Sequence, residues 1–298
     1  MNSIGRPKTP SNLRLSVRII QLVREILSRP SGAIGLVLVV LHLTISVLSP
    51  WIVPYDFKAI SASLILSPPD SAHWFGTDQL GRDVLTRTLL GGREAILVTL
   101  VATPIAVLWG GFVGVYLGLV GGRADAVVMR VVDAFLALPW ILKMLLLIVT
   151  FGTGLEVLIP TLAVFYGIPV IRIARAAAHN VVARDYVLAA RARGHGRFSI
   201  IVIELFPNVL DALMVEGAMR WSWMLLAFSS LSFLGFGVSP PTPDWGLMIS
   251  DSRTYLPIAP WAGLYPIAAL SSLIIGINLT ADALAKALGV DRAQKAPI

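Results

Sequence analysis

Residues 185–207 read DYVLAARARGHGRFSIIVIELFP, a basic and partly helical insertion between two long apolar segments. Asp185 opens a helical run, where a carboxylate complements the positive end of the helix dipole and is able to cap free N–H groups. Tyr186, Ala189, Ala190 and Arg193 recur at spacings that share one side of a short helix. Gly194 and Gly196 then break the run, because glycine tolerates the positive φ of a tight corner. A second helical run follows, and Pro207 marks the return to an apolar segment. The stretch therefore predicts a helix–turn–helix knob on a membrane protein, with an alanine face that another protein covers. An ordinary loop with a chance Ala-Ala-x3-Gly is the plainer alternative.

The membrane assignment rests on composition. The chain has 298 residues, 56% of them hydrophobic and only 14% charged, with mean hydropathy +0.79. A soluble domain carries about 25% charged residues. Six apolar stretches approach or exceed the ~20 residues that cross a bilayer: about 33–53, 95–120, 129–150, 155–171, 208–235 and 262–285. The first begins too late and runs too long for a secretory leader, and no small-residue cleavage pattern follows it. Residues 1–30 precede it with Leu15, Val17, Ile20, Leu22, Val23, Ile26 and Leu27 alternating with Arg14, Arg18, Arg24 and Arg29. That pattern predicts an amphipathic helix on the inner membrane face or against another subunit.

Charge sets the orientation. Six spans place both termini on one side. Of the 24 Lys and Arg residues, only Lys58, Arg82, Arg87, Arg93 and Arg253 fall on the opposite side, while Lys143 and Arg220 lie within spans. The asymmetry places both termini and the 185–207 knob in the cytosol. The net charge of +7 is thus spread between spans, which suits lipid orientation and not nucleic-acid binding.

Within the spans, Gly110, Gly114 and Gly118 line one face of the second and allow a close helix contact. The third holds Asp133, Pro139, Trp140 and Lys143, with a kink expected at the proline and a short turn, GGRADAVVMR, leading into it. Lys143 is costly in hydrocarbon and needs a partner, a cavity or an interface. Pore-lining and structural pairing both fit it. Glu216 and Arg220 stand i,i+4 in the fifth span, in the order that favours a helical ion pair, although substrate contact is a second reading. His42 reads as a hydrogen-bonded helix residue.

Much chemistry is excluded. Without cysteine there is no disulfide, thiolate metal site or cysteine nucleophile. No G-x-x-x-x-G-K-[ST] loop, H-E-x-x-H pair or nucleophile elbow occurs, so no catalytic residue, cofactor site or metal site is assigned.

Three motif regions carry a family resemblance. Ala189, Ala190, Gly194 and Pro207 resemble the EAA loop of bacterial ABC importer permeases, with Leu188 where the glutamate is usual and Glu204 and Phe206 where Ile and Leu are usual. FGTDQLGRDVLTR at 75–87 and SFLGFGVSPPTPDWG at 232–246 resemble permeases of the oligopeptide/dipeptide/nickel transport family. Phe228 stands where those permeases often carry glutamate. The resemblance implies an all-α membrane protein with six transmembrane helices in the type I ABC importer permease fold. Its parts are an N-terminal amphipathic segment (1–30) and a permease domain (31–298). Within the domain lie extracytoplasmic loops at 54–94 and 236–261 and a cytosolic coupling loop at 172–207.

It further implies a bacterial inner-membrane subunit without enzymatic activity. The implied partners are a second homologous permease, two cytosolic ATPases or one fused ATPase, an extracytoplasmic binding protein, peptide cargo and membrane lipid. ATP and Mg²⁺ are then bound by the ATPases, none by this chain. Asp185, Tyr186, Ala189, Ala190, Gly194 and Pro207 become the coupling residues. Lys143, Glu216 and Arg220 are candidates for the translocation path. Nickel is the alternative cargo, and an ion-coupled secondary transporter the alternative mechanism.

Overall fold

Helix after helix follows from apolar runs punctuated by Pro and Gly. The computed structural model describes residues 11–290, with side chains from residue 17 onward. Arg6, Lys8, Arg292 and Lys295 lie outside the described residues, as do the side chains of Arg14 and Leu15. In order come α1 (Ser11–Leu27), α2 (Pro30–Ile52), α3 (Val84–Leu90), α4 (Arg93–Val120), α5 (Gly122–Ala137), α6 (Trp140–Phe151), α7 (Leu155–Val182), α8 (Asp185–Ala192), α9 (Arg197–Ser199), α10 (Phe206–Phe233), α11 (Trp245–Ser252) and α12 (Trp261–Ala287). No strand occurs among the described residues. Five continuous helical segments are long and apolar enough to cross a membrane, and the bent pair α5–α6 passes the same test when taken together.

The expected kink at Pro139 is instead a break of 88°. Proline clashes with a helical preceding residue, and Leu138 accordingly sits at φ −78°, ψ 136°, which ends α5 outright. GGRADAVVMR is helix and not a turn. Gly121 and Gly122, at φ 61° and 66°, turn the chain between α4 and α5. The fourth apolar segment also runs on past residue 171 to Val182, since Ala174 and Ala178 continue its buried face.

The glycine face of α4 packs on α7. A Cβ at Gly114 would lie 2.7 Å from Ala174 Cβ and 2.9 Å from the Arg175 nitrogen, and one at Gly118 would lie 2.8 Å from Ala178 Cβ. Only hydrogen fits there, so the backbones approach closely, as small residues permit in a membrane. Gly35 and Gly276 do the same between α2 and α12. His42, nearby on α2, shares a 2.8 Å hydrogen bond with Ser272 on α12. The core joins α4, α7, α10 and α12 around the fully buried Leu162, Leu225, Phe228 and Leu273. Arg18 of α1 donates to Asp211 of α10 at 2.5 Å.

Residues 54–92 and 234–260 form one end of the bundle. Trp245 stacks on Gly91 and Gly92 and donates its indole N–H to the Thr88 carbonyl at 2.8 Å. Arg87, 2% exposed, donates to the carbonyls of Phe57 and Pro241, both at 3.2 Å. Residues 183–199 lie at the other end, beside Leu119 at the close of α4. Two motif strings about 150 residues apart in sequence thus meet on one surface, and the 185–207 stretch stands a full helix length away.

Candidate functional site

The knob forms because Arg184, not Asp185, takes the extended N-cap position (φ −75°, ψ 143°). Asp185 therefore makes no side-chain cap and contributes only first-turn charge. Val187 and Ala190 are buried completely, in one cluster with the end of α7 and residues 200–205. Ala190 is thus internal packing, not part of a coverable face. The exposed side of the knob carries Tyr186 (42% exposed), Leu188, Ala189, Arg193 and Phe198 (69%). Gly194 turns the corner at φ 81° with nothing within 4 Å of where a Cβ would stand. Gly196, by contrast, is extended (φ −65°, ψ 155°) and begins the next helix.

Pro207 does not restart the chain but lies inside one helical segment running from Arg197 to Phe233. It lacks an N–H, and its ring crowds the carbonyl four residues back. The helix answers by widening to a π turn at Ile200–Leu205 just before it. Beside the knob, Arg191, His195 and Arg197 line a 340 Å³ pocket with Leu119 and Val120.

A second feature runs along α10. Ala212, Glu216, Met219, Trp223, Leu226, Ser230 and Phe233 alternate by four and three residues, which makes one helix stripe. Three cavities follow that stripe in succession. The first, 580 Å³, lies among α7, α10 and α12, with Glu216 and Asp282 in its wall. The second, 450 Å³, is bounded by the α5–α6 break, α7 and α10, and contains Lys143, Tyr166, Arg220 and Trp223. The third, 310 Å³, lies toward Phe233 and Leu234. From Ala212 to Phe233 the stripe covers about 33 Å at a helical rise of about 1.5 Å per residue. That matches a hydrocarbon core of about 30 Å.

The three path candidates come together here. Arg220 pairs with Glu216 across one turn, and Lys143 faces the same cavity as Arg220. Glu216 is 7% exposed and lines the neighbouring cavity, so the pair is the wall between the two. Lys143 bridges the α5–α6 break. Its ammonium donates to the Phe135 carbonyl at 2.6 Å and stands 4.4 Å over the Phe135 ring. The break frees that carbonyl from helical pairing, and the cation meets the negative end of α5. Asp133 is not its partner but pairs with Arg172, while Asp125 holds Arg175 by two hydrogen bonds.

Two groups escaped sequence reasoning. Tyr166 donates to the Trp223 carbonyl at 3.2 Å and closes the second cavity, a contact between helices that no local pattern signals. At the other end of the bundle, Asp78 accepts from Arg82 at 2.7 Å and lies 3.6 Å from Arg87. The i,i+4 spacing of Asp78 and Arg82 within FGTDQLGRDVLTR is a signal that could have found this pair.

Comparison with known proteins agrees with this architecture. The family described as binding-protein-dependent transport system inner membrane component matches residues 110–291. The chain is 38% identical over 268 residues to a dipeptide transport system permease protein of Escherichia coli K12, which covers 87% of this chain and 89% of that one. It is 34% identical over 268 residues to a probable D,D-dipeptide transport system permease protein of the same organism, with 89% of each chain covered. It is likewise 34% identical over 257 residues to that organism's nickel transport system permease protein, covering 86% of this chain and 93% of the relative. This chain, a multi-pass inner-membrane protein, belongs to the binding-protein-dependent transport system inner membrane components, among the permeases of the oligopeptide/dipeptide/nickel group.

Proposed function

We propose that this chain is one of two homologous membrane-spanning permease subunits of an ATP-driven, binding-protein-dependent peptide importer. The observation that carries the reading is likeness to dipeptide permeases over 87–89% of the chain. The subunit is not itself an enzyme, and ATP with Mg²⁺ is bound and hydrolysed by separate ATPase chains or one fused chain. Counting the bent α5–α6 pair as one, six spans put both termini and the knob in the cytosol, as the arginine distribution favours. The region around 54–94 and 236–261 then faces the binding protein, and the 172–207 region faces the ATPase.

Tyr186 and Ala189, exposed on the knob, meet the ATPase. Asp185, Ala190, Gly194 and Pro207 shape the surface that carries them. Closure of the ATPases on ATP draws two such knobs together and reorients the α10 grooves of the paired permeases, which is alternating access biased by nucleotide. Lys143, Glu216 and Arg220 line the path.

Uptake by cells lacking the chain tests this, with wild type or Gly194→Asp restored and labelled dipeptide, tetrapeptide and nickel offered with ATP present or depleted. Peptide uptake that needs ATP and fails with Gly194→Asp is expected. Nickel uptake alone would replace the cargo. Uptake indifferent to ATP would overturn the importer and favour an ion-coupled carrier.

A further inference from the structure

Resting on the importer reading, we infer that the 450 Å³ cavity at the α5–α6 break is a transit subsite for the peptide carboxylate, with Lys143 as its counter-ion. Lys143 carries a charge within a membrane-spanning pair, yet none of the ion pairs among the described residues includes it. Its neighbours are neutral: the Phe135 carbonyl and the rings of Phe135 and Phe165, at 4.4 and 5.7 Å. An ammonium so placed in hydrocarbon calls for an anion, and the open side of the cavity is where one enters. Arg220 opposite is neutralised by Glu216, so the cavity as a whole is cationic.

The remaining wall suits variable cargo. Trp140, Phe165 and Trp223 offer flat apolar surface that selects no particular side chain, and the volume lies in the range of small-ligand pockets. A carrier of many peptides recognises only what they share, namely the backbone and the two charged ends. A lysine on a flexible stem holds a carboxylate as a point charge and releases it without a fixed fork of hydrogen bonds. That favours passage over capture.

The test uses the complete transporter, with its ATPases, partner permease and binding protein, in proteoliposomes. L-alanyl-L-alanine is added with a water-soluble carbodiimide, which activates its carboxyl so that a touching lysine amine forms an amide and the urea leaves. Peptide mapping by mass spectrometry should find the dipeptide adduct on Lys143 at least tenfold above that on exposed Lys58, saturating with dipeptide and missing with L-alanyl-L-alanine amide. In parallel, Lys143→Met should lower the maximal uptake rate about tenfold without changing the concentration of loaded binding protein needed for half-maximal rate, and Lys143→Arg should retain most of it. An adduct on Lys143 no stronger than on Lys58 overturns the subsite. So does a peptide-independent cross-link from Lys143 to a carboxylate of the partner permease, which would make it an interface residue. Absence of ATP-dependent uptake by the wild-type complex would instead defeat the importer reading itself.

Discussion

At the scale of single residues, glycine separates two kinds of constraint in this chain. At Gly114 the constraint is space. Ala174 Cβ and the Arg175 backbone stand 2.7 and 2.9 Å from where a Cβ would lie, and neither is a flexible tip. Gly114→Val must push α4 off α7, and overpacking of this sort costs about 1–3 kcal/mol. The expected result is a sharp fall in the monodisperse peak of detergent-extracted protein, measured by fluorescence-detected size exclusion. At Gly194 the constraint is conformation. Its φ of 81° is unfavourable for an L-residue by about 1–2 kcal/mol, but the space around it is open. Gly194→Ala should therefore fold and retain most peptide uptake, whereas Gly194→Asp adds a carboxylate to the proposed docking surface and should reduce uptake more than tenfold. Equal loss in both variants would assign the effect to the corner itself and remove the docking argument.

At the scale of elements, α11 shows how burial couples a cap to pH. Asp244 caps this helix by accepting from the Leu247 N–H at 3.1 Å, and burial pushes its carboxyl up to about 6 from an ordinary 3.8. Among the described residues its Oδ2 has no hydrogen-bond partner. The folded chain therefore holds a proton there between about pH 4 and pH 6 that the unfolded chain has released. Stability from this group is present below that window and is lost as pH rises through it. Asp244→Asn keeps an acceptor at the cap and carries no charge to bury. The variant should melt several degrees above wild type at pH 8, with the difference vanishing toward pH 4, in thermal scans of the purified complex. A constant difference across pH would show that the carboxyl ionises freely in the fold.

Elements also show what local pattern conveys. The glycine face of α4 and the Glu216–Arg220 pair were both legible, because each depends on neighbours three or four residues away. The 88° break was only half legible: Pro139 restricts Leu138, but the direction of α6 is set by α7 packing against it. Ala190 was misread since a short helix has two small-residue sides, and only the positions of α7 and of residues 200–205 decide which is covered. The joining of Arg87 to Pro241 and of Trp245 to Thr88 was not legible at all, because it depends on how distant loops close over the helix ends.

At the scale of the molecule, the α10 groove turns the Glu216–Arg220 pair into a decision between structure and transport. Glu216 faces the cavity that contains Asp282, and Arg220 faces the one that contains Lys143. Replacing Glu216 with Gln strands Arg220 beside Lys143, so that two cations face one cavity with no carboxylate paired to either. Removing one member of a buried pair costs roughly 3 kcal/mol, while removing both with matched apolar volume is often nearly neutral. Glu216→Gln should accordingly lower the melting temperature of the complex by several degrees, whereas Glu216→Leu combined with Arg220→Met should melt close to wild type. The double variant then isolates function, because it folds without the pair. If it imports dipeptide at the wild-type rate, the pair only makes two charges tolerable in a membrane helix. If it is stable but slow, with loaded binding protein still engaging normally, the pair itself acts on cargo as it passes from one cavity to the next. The groove predicts the second outcome, since Glu216 lines one cavity and its partner Arg220 lines the next.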